Sequence, residues 1–330
     1  MAATTVSSAS GPAPARNGIV SRAGRWSADD AYRRLLTGLA ASVFLVVVLI
    51  VYETVRGAVP AMSAFGARFL LGTDWDPVIE KFGALPYLFG TLVTSALAMA
   101  LAVPPCLGAA VYLSELASRR LGEIMAFMVQ LLASIPSIVY GIWGLFVLAP
   151  WLRTTIEPWL IAHFGFLPLF QGAPFGIGIL NAGIVLAIMI APTIVSISRE
   201  VLLAMPRSLR EAALALGATR AEAISVTLDV ARPGILGAAI LALGRALGET
   251  MAVTMVIGNT NRISASLLAP GATMASVIAN EFTEATGKLY LSSLFEIALV
   301  LFAVTLVLNA AARVLVYLTT GGRRDVAGAV

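Results

Sequence analysis

The sequence predicts an all-α membrane protein with six transmembrane helices and both termini in the cytosol. Three observations carry that expectation. Of 330 residues, 59% are apolar and only 12% are charged, about half the charge of an ordinary soluble domain. The mean hydropathy is +0.91. Six stretches are long and apolar enough to cross the hydrocarbon as helices, and none shows the period-2 alternation of a strand. Such a composition excludes a soluble enzyme, a disordered chain and a nucleic-acid binder. One cysteine and one histidine, Cys106 and His163, leave nothing for a disulfide framework or a zinc site, and neither has partners that suggest catalysis. No metal and no cofactor is implied.

Taken in order, residues 1–34 form a cytosolic tail, rich in Ala, Ser, Pro and Gly up to Trp26 and flexible by composition. The first span covers 35–55, too long and too far from the N-terminus to be a cleaved signal peptide. An outer loop, 56–86, follows. The other five spans are expected at 87–113, 124–148, 176–198, 233–257 and 294–316, within a core of 87–318, and 319–330 is a cytosolic tail. Lysine and arginine orient the bundle. With the N-terminus inside, fifteen of the 22 basic residues face the cytosol and six face out, Arg245 lying within a span. Between spans three and four, Trp151, Trp159, Phe164, Phe166, Phe170 and Phe175 flank prolines. This pattern fits an interfacial segment with an aromatic belt, or a short re-entrant segment.

The connection between spans four and five reads REVLLAMPRSLREAALALGATRAEAISVTLDVAR. Ser208 precedes Glu211 at capping-box spacing just after Pro206, so a short helix is expected to start at Ser208. Gly217 supplies a left-handed residue to end it. Thr219 and Glu222 repeat the capping-box spacing and open a second short helix. Ala212, Ala213, Leu214 and Leu216 form an apolar stripe that needs a cover, either the bundle itself or another protein.

Glu211-Ala212-Ala213 followed after three residues by Gly217 resembles the EAA loop of ABC importer permeases, over some seventeen residues of SLREAALALGATRAEAI. The resemblance implies a MetI-like permease core whose coupling helices at 208–228 dock on a cytosolic ATPase through Glu211, Ala212, Ala213 and Gly217. The family usually carries a Leu-Pro pair after the glycine. Here Leu228-Asp229 stands one residue early without the proline, which implies a different exit from the second helix.

Ionisable residues inside spans each demand a reason, since one at a helix centre costs about 2.5–3.5 kcal/mol or more. The fifth span holds Arg245 near mid-membrane and Glu249 four residues on, expected on the same helical face. The plain reading is an internal ion pair that fixes packing; the functional one is an oxyanion path. A guanidinium fork matches a tetrahedral oxyanion. A carboxylate beside it accepts a proton-bearing oxygen, which phosphate has at neutral pH and sulfate lacks, so Glu249 repels sulfate. Gly244 and Gly248 form a GxxxG face suited either to packing or to a subunit interface. Ser134, Ser137 and Tyr140 in span three, and Thr193 and Ser196 in span four, are candidates for lining a path or for helix-packing contacts. Glu296 follows Ser293 at capping-box spacing and is expected at a helix start; Asn309 is expected in an interhelical hydrogen bond.

GRALGETMAVTMVIGN, together with SIPSIVYG at 134–141, resembles the PstC type of phosphate-specific ABC permease, over roughly residues 70 to 320. The PstA type usually continues GET with Ala-Pro, where this chain has Met251-Ala252-Val253. The resemblance implies that Arg245 and Glu249 move phosphate in the bacterial inner membrane. It also implies a PstA-type second permease, PstB-type ATPases and an extracytoplasmic PstS-type phosphate-binding protein. Neither Lys81 nor Lys288 sits in a P-loop, so ATP hydrolysis is expected of a separate subunit and no enzymatic activity of this chain. The competing readings are a sulfate or molybdate permease of the same class and a non-transporting phosphate-sensing scaffold.

Overall fold

The computed structural model describes residues 28–320. It divides into two compact units between Ile50 and Val51. Among the described residues, six helices are long and apolar enough to cross a membrane.

Helix α1 (Ala28–Phe65) is exposed at every described side chain through Ile50. Nothing interrupts it before Gly66, whose φ of +53° turns the chain, so residues 56–65, expected in a loop, are helical. Beyond it, β1 (Trp75–Asp76) and β2 (Lys81–Phe82) pair antiparallel, Trp75 opposite Phe82. The Asp76 carboxylate accepts from the Val78 amide at 2.8 Å and shapes their turn. Helix α2 (Leu85–Val111) starts with Pro86 in its first turn, where no amide is missed. It runs on through one wide π-turn, Tyr112–Leu116.

The third span departs from the expected 124–148. Residues Arg119–Ala133 form a separate amphipathic helix, α3, and Ser137–Phe164 form the spanning rod, α4. The cause lies in Ile135-Pro136. A proline pushes its predecessor out of helical geometry, and Pro136 itself is extended, with ψ 139°. Within α4, wide turns at Gly144–Leu148 and Leu152–Ile156 each end two residues before a proline, Pro150 and Pro158. Widening the helix there relieves the clash with a preceding carbonyl that a proline brings. Trp151, Trp159 and Phe164 therefore lie on this rod, not in a connecting segment.

Helix α5 (Ile179–Leu203) is the most buried of the spans. Helix α6 (Arg207–Ala215) precedes α7 (Arg220–Gly248), which opens with the Thr219–Glu222 capping box. That box starts one long helix rather than a second short one: nothing stops it before Glu249, and Pro233 is accommodated inside. The fifth span therefore ends at Gly248 instead of 257. After a break, α8 (Met251–Val256) begins. Helix α9 (Met274–Glu281) is capped reciprocally by Thr273 and Ser276, and α10 (Lys288–Thr320) follows. Glu296 thus sits in a helix interior, buried, because α10 starts eight residues before it.

Small side chains let these helices meet, as membrane packing requires in the absence of a water-driven hydrophobic force. Ala238, Ala242 and Ala246 form a fully or nearly buried ridge at i, i+4 along α7. On α2, Ala98 and Ala102 are buried likewise, and Gly183 of α5 admits Leu97 where a Cβ would lie 2.5 Å from its methyl. An outer cluster joins Phe69, Phe82, Tyr87, Met274 and Leu294.

Candidate functional site

Two interruptions of helix lie side by side. One is Ser134–Pro136 between α3 and α4; the other is Glu249–Thr250 between α7 and α8. Helix α8 runs parallel to the start of α4 and packs tightly on it. A Cβ on Gly141 would lie 2.8 Å from Met255 Sδ and 3.0 Å from Ala252 Cα, and one on Gly144 would lie 2.9 Å from a Val256 methyl.

At this junction Arg245 occupies the last turn of α7, half-buried. The same-face register expected for Glu249 is absent. Glu249 leaves the helix with ψ 126°, because its carboxylate is recruited to the next one: Oε1 accepts from the Ala252 amide at 3.3 Å. No ion pair joins Arg245 to Glu249. Instead Arg245 lies close enough to Tyr140 for its charge to act on the phenol. Tyr140 is 9% exposed, and its hydroxyl donates to the Leu132 carbonyl at 2.8 Å, back across the break. Ser134 is exposed and donates to the Leu131 carbonyl at 2.7 Å. Ser137, Thr193 and Ser196 are half-buried. The arrangement leaves a membrane-level guanidinium without a carboxylate counter-ion and a carboxylate with one oxygen to spare, a set suited to a partly protonated oxyanion.

The GxxxG face is open. A Cβ on Gly248 meets nothing within 4 Å, and one on Gly244 reaches only Asn309, at 3.8 Å. Asn309 approaches α7 there without the expected hydrogen bond.

The second candidate region is α6. Its start differs from expectation. Pro206 is the cap residue, with no side-chain bond, and Ser208 lies inside the first turn. The cap thus lies two residues before the expected one, and the Leu209 amide donates to the Pro206 carbonyl at 3.2 Å in the first turn. The other end follows the glycine rule. Gly217 has φ +87°, its amide bonds the Leu214 carbonyl at 3.0 Å, and the Ala218 amide bonds that of Ala213 at 3.1 Å. These paired bonds define a Schellman stop. Glu211 and Ala212 are exposed and Ala213 is half-buried. Leu214 is 48% exposed and Leu216 90%. Within the described chain the bundle does not cover the stripe.

Sequence reading missed the group that holds α6 from behind. Arg210 pairs with Glu115 in the π-turn ending α2 and also donates to the Leu202 carbonyl at 3.3 Å. Ninety-five residues separate Arg210 from Glu115, so no local spacing could signal it. Three other polar anchors, Glu157 and Asn181 buried and Glu281 half-buried, were equally silent. Glu157 accepts from the Gly176 amide at 2.9 Å, and Asn181 donates to the carbonyls of Gly144 and Gly176 at 3.3 and 2.8 Å. Glu281 accepts from Trp75 Nε1 and the Tyr290 hydroxyl at 2.7 and 2.8 Å, tying the hairpin to α9 and α10.

A family model described as a binding-protein-dependent transport system inner membrane component matches residues 106–319. The chain is 48% identical over 295 residues to the phosphate transport system permease protein PstC of Mesorhizobium japonicum, covering 88% of this chain and 90% of that protein. To PstC of Pasteurella multocida it is 45% identical, with 86% and 90% covered. To the probable PstC of Methanocaldococcus jannaschii it is 39% identical, with 81% and 87% covered. Its fold is similar to a chain of the inward-facing MetNI methionine ABC transporter, with a TM-score of 0.52 at 19% identity, over 75% of this chain and all of that one.

Proposed function

The chain belongs to the binding-protein-dependent transport inner membrane components and, among them, to the PstC permeases, and from that premise we propose the residues through which it works. It is a multi-pass permease subunit of a phosphate ABC importer in the bacterial inner membrane, and it works with an ATPase and further components of that system. The finer reading assigns those components as a PstA-type permease, PstB-type ATPases and a PstS-type binding protein outside. ATP is hydrolysed on the ATPase. Both termini face the cytosol, which sets α6 and the arginines of 199–232 on the ATPase side.

Arg245, Glu249 and Tyr140 form the phosphate path, with Ser134 and Ser137 at its edge. The observation that carries this is Arg245 itself. Arg245 lies in the last turn of an apolar span, where an ionised group carries a desolvation cost, and the acidic residue best placed in sequence to neutralise it caps α8 instead. A transiently bound anion is the counter-charge that makes the position sensible. Glu249, through its second oxygen, accepts a hydrogen bond from the P–OH of hydrogen phosphate, and it repels sulfate. Glu211, Ala212, Ala213 and Gly217 serve docking on the ATPase, with Leu214 and Leu216 as the apolar contact.

Substitution at Glu249 tests the path in cells carrying the whole system. Glu249→Gln, which keeps an acceptor and loses the charge, should retain a measurable fraction of labelled phosphate uptake and admit labelled sulfate. Glu249→Leu should lose phosphate uptake at least tenfold. Equal loss in both variants with no sulfate entry would remove Glu249 from selectivity.

A further inference from the structure

Helix α6 has a joint at each end. Pro206 enters it in extended geometry, with ψ 132°, and Gly217 leaves it at φ +87°. A helix jointed at both ends and pushed on its exposed face swivels unless something on its other side fixes it. Arg210, next to Glu211 in sequence, provides that fixing. It pairs with Glu115, whose side chain is 5% exposed against 25% for Arg210, and its second bond goes to Leu202 near the end of α5.

We propose that the Arg210–Glu115 ion pair is the linkage that delivers movement of the docked α6 to the cytosolic end of α2, making both positioning residues for transport. This rests on α6 being the ATPase-docking helix. Stability alone is a poor reason for such a pair: a quarter of the Arg210 side chain stays exposed, and even a fully buried pair is often replaceable by apolar groups at no loss. What an ion pair adds is registry: it resists displacement both along and away from the helix. The site is also placed to pass movement on. Glu115 lies in the π-turn that ends at Leu116, and α3 begins three residues later, at Arg119. A Cβ on Gly122 of α3 would lie 3.0 Å from the Leu113 carbonyl, so α2 and α3 meet there through backbone. From the far end of α3, the Leu132 carbonyl holds the Tyr140 hydroxyl, which lies within electrostatic reach of Arg245. Contacts thus run from the docking helix through α2 and α3 to Tyr140. Arg210 Nε is buried without a partner, so the guanidinium keeps a free donor with which to re-pair when α6 shifts.

The test uses the complete transporter, both permeases with ATPase and binding protein, in proteoliposomes. It compares wild type with Arg210→Glu, Glu115→Arg and the double exchange. Three quantities are read: ATPase retained on the purified complex, ATP hydrolysed, and phosphate taken up per ATP. Each single variant should retain the ATPase, since the exposed face of α6 is unaltered, and should lower phosphate per ATP at least fivefold. The double exchange should recover to within about twofold of wild type. Wild-type coupling in either single variant, or a double exchange as defective as the worse single one, would overturn the proposal. If a reversed charge prevents assembly, Arg210→Gln and Glu115→Gln replace it: a fall in phosphate per ATP supports the linkage, and an unchanged ratio overturns it. Failure of the docking reading looks different, since ATPase retention would then be indifferent to the exposed residues of α6.

Discussion

Arg245 and Glu249 stand four positions apart, yet one backbone turn between them decides what each can do. Glu249 leaves the helix and its carboxylate turns to the Ala252 amide at the start of α8, so no ion pair joins it to Arg245. Arg245 was legible as an anomaly in an apolar run, because any ionised group in a span invites explanation. Its relation to Tyr140 was not, since it depends on two helix breaks coming together across a hundred residues of chain. The Tyr140 hydroxyl also donates to the Leu132 carbonyl, adding a second bond to the one that carbonyl accepts from the Ile135 amide at 3.3 Å. Tyr140→Phe therefore removes a bond worth about 0.5–1.5 kcal/mol and loosens the break beside Arg245. The assembled complex should melt a few degrees lower and phosphate uptake should fall severalfold. Unchanged uptake with the complex intact would make Tyr140 a packing residue.

Among the elements, α6 was the most legible and the third span the least. Glycine at 217 and the Thr219–Glu222 spacing are local rules of chain chemistry, and they act as such in the structure. Hydropathy, by contrast, cannot tell the apolar face of α3 from the start of a span. Only the constraint of Pro136 on Ile135 separates them, and the span shifts by about a dozen residues in consequence. The long reach of α7 through Pro233 was hidden for the opposite reason, since a proline suggests a boundary that the helix absorbs. The docking role proposed for α6 draws on its Schellman stop and its exposed leucines. Gly217→Ala forces a side chain into left-handed geometry at about 1–2 kcal/mol, and Leu216→Asp charges the 90%-exposed tip. Leu216→Asp should strip most ATPase from the purified complex, and Gly217→Ala should weaken retention partly. Full retention in Leu216→Asp would place docking elsewhere.

Across the whole molecule, small residues such as Ala98, Gly183 and Ala242 let the helices from α2 onward pack closely. The number of spans was legible because hydropathy measures it directly. The polar anchors Glu157, Asn181 and Glu281 were not, because their partners are backbone or aromatic groups brought near only by the fold. The central claim at this scale is that phosphate crosses by Arg245. Its most direct measurement is labelled phosphate uptake by cells carrying the complete system, wild type against Arg245→Ala, with assembly checked by co-purification of the ATPase. Uptake lost at least tenfold in an assembled complex is the expected result. Wild-type uptake in that complex would contradict it and make Arg245 a structural residue.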